Sequence, residues 1–286
     1  MKKEWKLFTR VNQLDNLEVL KALFYKHSFG RHYHEGYAIG IILEGSETYL
    51  CNKKLNIAPK GSVVVVNPGE VHNGHASDTD QGWGYFMIYP HLSLIQKALI
   101  QMDLNKEILP VFSEAVFCDN QFAKQLVQFM LSFETQDSTL ALETHFIKLL
   151  HILIEKHAHF SIPEPKVYKD SVRVKKITEI IHAGYDQNLS LEGLANQVNL
   201  NVYALLRLFK MQTGFSPYLL QTGLRINKAK SCLKSGASFA DTAISCGFTD
   251  QSHMIKQFKK WIGVTPGDYC GHAHRRAGIC ELKIGW

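Results

Sequence analysis

The feature that most restricts the fold of this chain is a repeat in its C-terminal half. Residues 191–217 align with residues 239–266, and one extra residue is inserted in the turn of the second copy. The offset is 48 residues before that insertion and 49 after it. The matched pairs are Ala195 with Ala243, Asn199 with Gly247, Leu200 with Phe248, Leu205 with Met254, Phe209 with Phe258, Gly214 with Gly263, and Pro217 with Pro266.

Each copy has the residue pattern of a helix-turn-helix unit. In the first copy, Ala195 is small enough for a second helix to cross closely, and Asn199 tolerates the positive φ of a tight turn. Leu200 is an apolar plug, and Gly214 caps the second helix at its C-terminus. Ser216-Pro217 then begins another helix. The repeat predicts two such units, joined by one long helix that starts at Pro217.

The charge is divided unequally between the halves. Residues 1–165 carry 15 Lys+Arg and 18 Asp+Glu, a net of −3, whereas residues 166–286 carry 17 and 8, a net of +9. A basic surface binds polyanions because each neutralised phosphate releases counterion. The alternative is a duplicated helical hairpin that binds nothing, but two copies on a basic background favour a DNA-binding domain.

The front half changes pattern once along the chain. Residues 36–90 contain short β-branched and aromatic runs separated by Gly, Asn and Pro, which predicts a small antiparallel barrel or sandwich. After it, helical spacing predicts helices over 92–102, 120–134 and 138–157. The last helix carries an apolar stripe that is either core or a coiled dimerisation seam, formed by Leu142, Phe146, Leu149, Leu150 and Leu153.

Two closely spaced prolines place a domain boundary at residues 161–170. We therefore expect a front domain at 1–160, a linker at 161–170, a DNA-binding domain at 171–272 and a tail at 273–286. The six cysteines form no CxxC pair, so they indicate no zinc or redox motif. With no secretory signal and no apolar run of about 18–20 residues, we expect a cytoplasmic protein with no membrane partner.

The segment from about 171 to 270 resembles the DNA-binding domain of the AraC/XylS family. The matching stretches are "SLEGLANQVNL", "LRLFKMQTGFSP" and "GFTDQSHMIKQFKKWIGVTP", together with Arg225 and Ala229. The resemblance implies seven helices that form two helix-turn-helix units. Their recognition helices would enter successive major grooves, which lie about 34 Å apart on one face of the duplex.

The resemblance also implies which side chains face DNA. Arg207 suits a bidentate contact to guanine, worth about 1–3 kcal/mol of discrimination. Lys256 stands where many relatives have Arg, so it suits a phosphate or one base acceptor. The implied residues are Tyr203, Leu206, Arg207 and Lys210 in a first recognition helix at about 202–211, and Ser252, His253, Ile255, Lys256, Lys259 and Lys260 in a second at about 251–262.

The front half resembles the cupin-type effector domain fused to such regulators, at "GRHYHEGYAIGIILEGSETYL" and "PKGSVVVVNPGEVHNGH". A small metabolite, with an amino acid or amine ahead of a sugar, would then be held inside the barrel. The candidate ligand residues are His32, His34, Glu70, His72, Asn73 and His75 as polar anchors, with Tyr37, Trp83 and Tyr85 as walls.

Two other interpretations of these histidines stay open. His32, His34 and His72 would bind a divalent metal, although the carboxylate that metal cupins add is missing from its usual place. Alternatively the histidines are solvated residues at the end of a barrel without a ligand.

Taken together, these features predict an α+β chain: a cupin-like β-barrel with helices, followed by an all-α tandem helix-turn-helix domain. We expect a ligand-responsive, sequence-specific regulator of transcription, an activator, that is not an enzyme and uses no cofactor. Its expected partners are double-stranded DNA, a small-molecule effector, a second copy of itself as a homodimer, and RNA polymerase. The alternatives are a metal-binding cupin enzyme fused to a DNA-binding domain and a ligand-free dimeric DNA binder.

Overall fold

The computed structural model describes residues 3–51, 54–134, 139–160 and 171–270. These residues form two compact units, one drawn almost entirely from residues 3–160 and the other from residues 171–270. The first is rich in β-sheet and the second is helical, as predicted for the two domains. None of the helices in these ranges combines the length and the apolar character needed to cross a bilayer.

The described residues of the front domain form nine strands, and every pairing between registered strands is antiparallel. The strands are β1 Trp5–Val11, β2 Leu17–Phe24, β3 Ser28–His32, β4 Ala38–Cys51, β5 Lys54–Pro59, β6 Val63–Val66, β7 His72–Ala76, β8 Trp83–Tyr89 and β9 Val116–Phe117.

Strand β4 connects the two sides of the barrel. Its first half pairs with β6 and β8, and its second half pairs with β5 and β7. Between these halves its register against β8 shifts at Ile42–Glu44, which is a β-bulge or comparable irregularity. A bulge adds one residue to one strand and so exchanges the faces to which later side chains point.

Three helices cover one side of the sheet: α1 Leu92–Gln101, α2 Asn120–Glu134 and α3 Thr139–His157. They lie within one or two residues of the predicted ranges because their apolar residues recur at helical spacing. The core between sheet and helices takes alternate strand residues, including Ile39, Ile41, Phe86 and Ile88.

The apolar stripe of α3 belongs to this core. Leu142, Phe146, Leu149, Leu150 and Leu153 are all at most 3% exposed. Of the two alternatives for the stripe, the structure therefore supports core packing, and these side chains are not available as a dimerisation seam.

This placement predicts the effect of shortening one stripe residue. Leu150→Ala should lower the free energy of unfolding by about 2–5 kcal/mol, because it leaves a cavity in a packed core. Ile147→Ala is the matched control on the same helix, since Ile147 is 41% exposed, and it should change stability by no more than about 0.5 kcal/mol. Thermal unfolding with light scattering checks both; a Leu150 variant of normal stability but altered oligomeric state would contradict the core assignment.

The first three strands precede the β region that the sequence predicts. Strand β2, "LEVLKALF", is buried along its whole length and includes the charged residues Glu18 and Lys21. Glu18 lies 3.8 Å from Arg10 of β1, and Lys21 pairs with Glu134 of α2. These partners allow the charges to be buried, and Glu134 is too distant in sequence from Lys21 to leave a local pattern.

Seven helices form the rear domain over residues 171–270, as the resemblance implied. Helix α7 packs against α4, α8, α9 and α10 and therefore holds the domain together. The helices are α4 Ser171–Ala183, α5 Leu191–Asn196, α6 Val202–Thr213, α7 Pro217–Lys234, α8 Phe239–Ser245, α9 Gln251–Ile262 and α10 Pro266–Cys270. The predicted linker, 161–170, and tail, 273–286, lie outside the described residues.

Candidate nucleic-acid interface and effector site

The two helix-turn-helix units have the same turn. Asn199 has φ of 53° and Gly247 has φ of 75°, the left-handed conformation predicted for both. In the first unit the backbone N–H of Leu200 donates to the Ala195 carbonyl at 3.0 Å. In the second unit the N–H of Phe248 donates to the Ala243 carbonyl at 2.9 Å. The repeat in sequence is thus a repeat in backbone hydrogen bonding.

The second helix of each unit is capped at both ends. Asn201 accepts the backbone N–H of Ala204 at 2.8 Å at the start of α6, and Asp250 accepts that of His253 at 2.8 Å at the start of α9. Gly214 and Gly263 end these helices with φ of 84° and 83°. The caps explain why α6 starts, and α9 both starts and ends, where the sequence predicts. Helix α6 continues to Thr213, two residues beyond its predicted end.

Most of the basic residues expected at DNA are exposed on these two helices. The exposed ones are Arg207, Lys210, Lys256, Lys259 and Lys260, together with Ser252. Leu206 and Ile255 are half-buried. The side chain of Tyr203 lies outside the described part of the chain. The exposed charges give each helix a cationic face opposite the apolar face that packs into the domain.

His253 is turned toward its own unit. Its ring meets the ring of Phe248 edge-on, with centroids 5.6 Å apart, and its Nε2 lies 3.5 Å from the amide nitrogen of Gln257. His253 is therefore half-buried against the apolar plug, and Ser252 and Lys256 are the more accessible residues of α9.

One loop between α4 and α5 is held from two directions. Arg225 and Gln221 of α7 both donate to the carbonyls of Tyr185 and Gln187, at distances of 2.7–3.1 Å. The turn at Gly247 approaches the same loop, where a Cβ on Gly247 would lie 2.1 Å from the Asp186 carbonyl oxygen. The loop between α4 and α5 thus contacts both α7 and the turn of the second helix-turn-helix unit.

In the front domain, alternate residues of β8 point to opposite sides of the sheet. Phe86 and Ile88 pack into the core beneath the helices, so Trp83, Tyr85 and Tyr89 face the barrel interior. Trp83 and Tyr85 were predicted as walls of a ligand site, and their ring centroids lie 4.8 Å apart.

Three of the predicted ligand residues lie close together. One ring nitrogen from each of His32, His34 and His72 lies within 4.8 Å of the others. His32 ends β3, the strand that pairs with β7. Nδ1 of His32 lies 2.8 Å from the Gly30 carbonyl, and Nδ1 of His72 lies 3.0 Å from the Glu70 carbonyl.

A carbonyl only accepts, so each Nδ1 is a donor, and a neutral ring then has its lone pair on Nε2. Burial lowers the pKa of His72, which favours that neutral form. These nitrogens would lie about 3.4 Å apart around a tetrahedral zinc ion. The cluster is the set of described residues that could hold a divalent metal.

Three predicted ligand residues lie elsewhere, contrary to that expectation. Tyr37 is in the core beneath the helices and donates its hydroxyl to the Pro110 carbonyl at 2.7 Å. Asn73 accepts the backbone N–H of Leu50 at 2.7 Å and alternates with the buried residues of β7, and His75 is exposed on that outer side. Alternation along a strand separates them from His72.

Glu47 is a buried carboxyl on the inner side of the barrel and is not among the ligand residues predicted from the sequence. Glu70, the predicted acidic anchor, already accepts the backbone N–H of Asn67 at 3.1 Å and the thiol of Cys51 at 3.6 Å. Glu47 is only 9% exposed, and its burial raises the pKa of its carboxyl well above the usual range. The only signal for it in the sequence was a Glu inside a β-rich run.

The sequence matches two described families. Residues 16–150 match the AraC-like ligand binding domain, and residues 194–271 match a helix-turn-helix domain. These are the two parts in which the barrel and the repeated units lie.

Similar proteins match along most of the chain. An uncharacterized HTH-type transcriptional regulator, YbfI of Bacillus subtilis, is 31% identical over 86% of this chain and 90% of its own. The transcriptional activator RhaR of Mannheimia succiniciproducens is 25% identical over 86% of this chain and 88% of its own. The fold is also that of apo ToxT from Vibrio cholerae, with a TM-score of 0.54 and 14% identity over 94% of this chain and 95% of that one. The matched families and relatives are transcription regulators and not enzymes.

Proposed function

Because this chain belongs to the AraC family of transcriptional regulators, we propose that it activates transcription when a small metabolite occupies the barrel. In this proposal α6 and α9 read two successive major grooves of double-stranded DNA. The protein then acts in the cytoplasm, where that DNA is.

The observation that carries the DNA-binding part is the equivalence of the two capped helices. Each starts at an Asx cap, ends at a left-handed glycine and exposes basic side chains on one face. Arg207 is the residue of α6 able to make two parallel hydrogen bonds to guanine. Lys210, Lys256, Lys259 and Lys260 supply the phosphate contacts that fix orientation.

The effector part is supported by the buried polar groups of the barrel. A small-molecule site combines a few polar groups with apolar surroundings. Here the polar groups are a carboxyl, phenols, an indole N–H and imidazoles. An amino acid or an amine is the effector class that we favour. The name of the relative RhaR, an activator, supports the sign of the regulation.

We include two macromolecular partners in the proposal. A homodimer would bring two such DNA-binding domains to one operator, and its contact must use surfaces other than the buried stripe of α3. An activator also needs a contact with RNA polymerase. Effector binding changes the output only if the effector has different affinities for two states of the protein.

The experiment that tests the DNA-binding part is selection of the full chain on random duplexes of about 21 base pairs, two helical turns. We expect enrichment of a bipartite sequence. The affinity for that sequence should fall linearly on logarithmic axes as salt is raised, because phosphate contacts release counterions.

Two results would contradict the proposal. If no sequence is enriched and random duplex binds as tightly as any selected one, the chain is not a sequence-specific regulator. If only one half-site is enriched, the claim that α6 and α9 both read bases is wrong.

A further inference from the structure

The barrel interior contains a carboxyl group that no cationic side chain of the described residues neutralises through an ion pair. Glu47 belongs to β4. Burial raises the pKa of Tyr49, Tyr85 and Tyr89, and an ionised Glu47 would raise each of them further. Alternation along the strands places Glu47 and Tyr49 of β4, and Tyr85 and Tyr89 of β8, on the inner side of the sheet. Glu47 and the phenols form a polar centre enclosed by the sheet.

Room for this carboxyl is provided by a glycine on the neighbouring strand. A Cβ on Gly74 would lie 2.4 Å from Oε1 of Glu47 and 3.4 Å from the ring of Trp83. The bare backbone of β7 thus lets the carboxyl and the indole approach from two sides. The same point of the barrel is lined by Glu47, Gly74 and Trp83.

Trp83 contributes a second buried polar group. Its Nε1 is buried and finds no hydrogen-bond acceptor among the described residues, although Trp83 is only 3% exposed. A buried donor left unpaired costs free energy that a ligand acceptor recovers. The rings of Phe24, Phe29 and Tyr85 lie with centroids 4.8–6.1 Å from that of Trp83 and make the surroundings aromatic.

We propose that Glu47 is the anchor for an organic ammonium group, and that Trp83 Nε1 donates to an acceptor oxygen of the same molecule. The inference rests on the proposed function, since it specifies the effector of that barrel. A buried carboxylate attracts a cation strongly in surroundings of low dielectric. Aromatic faces add to the attraction through their quadrupoles. A neutral polyol would gain hydrogen bonds there but neither of these charge interactions.

Binding of the cation is coupled to release of a proton. Burial raises the pKa of Glu47 well above its usual range, so at any pH below that pKa an incoming ammonium ion displaces the carboxyl proton to solvent. Affinity should then rise with pH by up to about tenfold per unit, until Glu47 ionises without ligand. Tyr49, Tyr85 and Tyr89 stay neutral throughout this range because burial raises the pKa of each.

Other charged or titratable groups also face this centre. Glu18, which pairs with Arg10, acts on Tyr89, and Glu70 and Cys51 act on Tyr49. The imidazoles of His34 and His72 are the groups that can become cationic, and His34 packs against Tyr89. A positive charge on either imidazole would also repel a cation. A Glu47→Gln variant separates the two causes: it removes the pH dependence that comes from Glu47 and keeps any that comes from the histidines.

The test is a thermal-shift and calorimetric screen of the full chain. The probes are ethanolamine, choline, putrescine and lysine, and the neutral comparisons are ethylene glycol, butane-1,4-diol and glucose. Zinc and manganese salts, with and without chelator, report on the histidine cluster. We expect an upward shift in Tm with at least one ammonium probe, none with its neutral counterpart, and proton release measurable in buffers of different ionisation enthalpy.

The variants then identify the anchor. Glu47→Gln should lower the affinity for the ammonium probe about 30-fold or more, because one member of a buried charge pair is lost. It should fold normally, since the glutamine resembles the neutral carboxyl of the empty barrel. Glu44→Gln, on the exposed side of the same strand, should bind as the wild type does. Trp83→Phe should bind several-fold more weakly.

Each other result overturns the inference. A neutral polyol that binds independently of pH would replace the ammonium class, and an ammonium probe that ignores Glu47→Gln would remove Glu47 as anchor. A shift in Tm with metal alone, reversed by chelator, would show that the ligand is a metal ion bound by the three histidines. If no ammonium probe shifts Tm or gives a calorimetric signal, in protein that still selects a DNA sequence, the inference is wrong while the DNA-binding proposal is unaffected.

Discussion

In the full chain, the Gly247→Ala variant should have a rear-domain Tm about 10 °C or more below that of the wild type. At temperatures between the two Tm values, the variant should also lose DNA binding. The new Cβ would lie 2.1 Å from the Asp186 carbonyl oxygen and 2.6 Å from the neighbouring backbone carbons, with φ of 75°. Backbone atoms cannot swing away as a flexible side chain does. Left-handed strain and overpacking together cost about 2–5 kcal/mol.

Gly214→Ala is the matched control for this variant. Gly214 has φ of 84°, but no atom outside its own neighbourhood lies within 4 Å of the position of its Cβ. It should lose only the conformational part, about 1–2 kcal/mol. Differential scanning calorimetry compares the two variants directly. Equal losses of stability would show that the close approach of Gly247 to Asp186 does not contribute to the effect.

Arg207→Ala should weaken binding to the selected DNA sequence by about 5- to 150-fold, the loss of one bidentate base contact at about 1–3 kcal/mol. Affinity for random duplex should fall much less. Arg207 is exposed on α6 and the described structure requires no role for it in folding, so stability should be unchanged. Fluorescence anisotropy with both duplexes measures the ratio.

Lys210→Ala, one turn further along the same helix, is the comparison. As a phosphate contact it should weaken both duplexes alike and reduce the salt slope by about one. If Arg207→Ala gives this same pattern, Arg207 is a phosphate contact and α6 does not read bases through it.

The rear domain could be predicted closely because its signals are local. The resemblance implied the start of α6 and both ends of α9, and the structure shows why they lie there: Asn201, Asp250 and Gly263 each act on backbone within their own turn. The positive φ at Asn199 follows equally from residue type. Nothing distant in sequence has to be known for these assignments.

The front domain was predicted less completely because its burial depends on distant partners. Glu18 and Lys21 interrupt the apolar pattern of β2, and only the later α2 explains how Lys21 is tolerated. Where helices cover the sheet, alternation alone also fails to show which face of a strand is the inner one. Tyr37 was therefore assigned to the ligand site although its ring packs beneath the helices.

The irregularity in β4 explains why the barrel carboxyl was not identified. Before it, Ile39 and Ile41 point to the helices, so even-numbered residues face the interior. After it, the buried residues are Glu47, Tyr49 and Cys51. Counting alternate residues from Ile41 would put Glu44 inside and Glu47 outside. One residue of register, set by the fold and not by residue type, decides the chemistry of the site.

The loop at residues 185–187 has a consequence for the kind of operator this protein can accept. It is fixed by Gln221 and Arg225 on one side and lies against Gly247 on the other, so the two units cannot slide apart along the helix that joins them. The distance between the two helix-turn-helix units is therefore expected to stay fixed. A base pair inserted between the two grooves turns the second groove by about 34° away from its reader. If α6 and α9 read successive grooves as proposed, we expect operators of this protein to be constrained in the distance between half-sites as tightly as in the bases themselves.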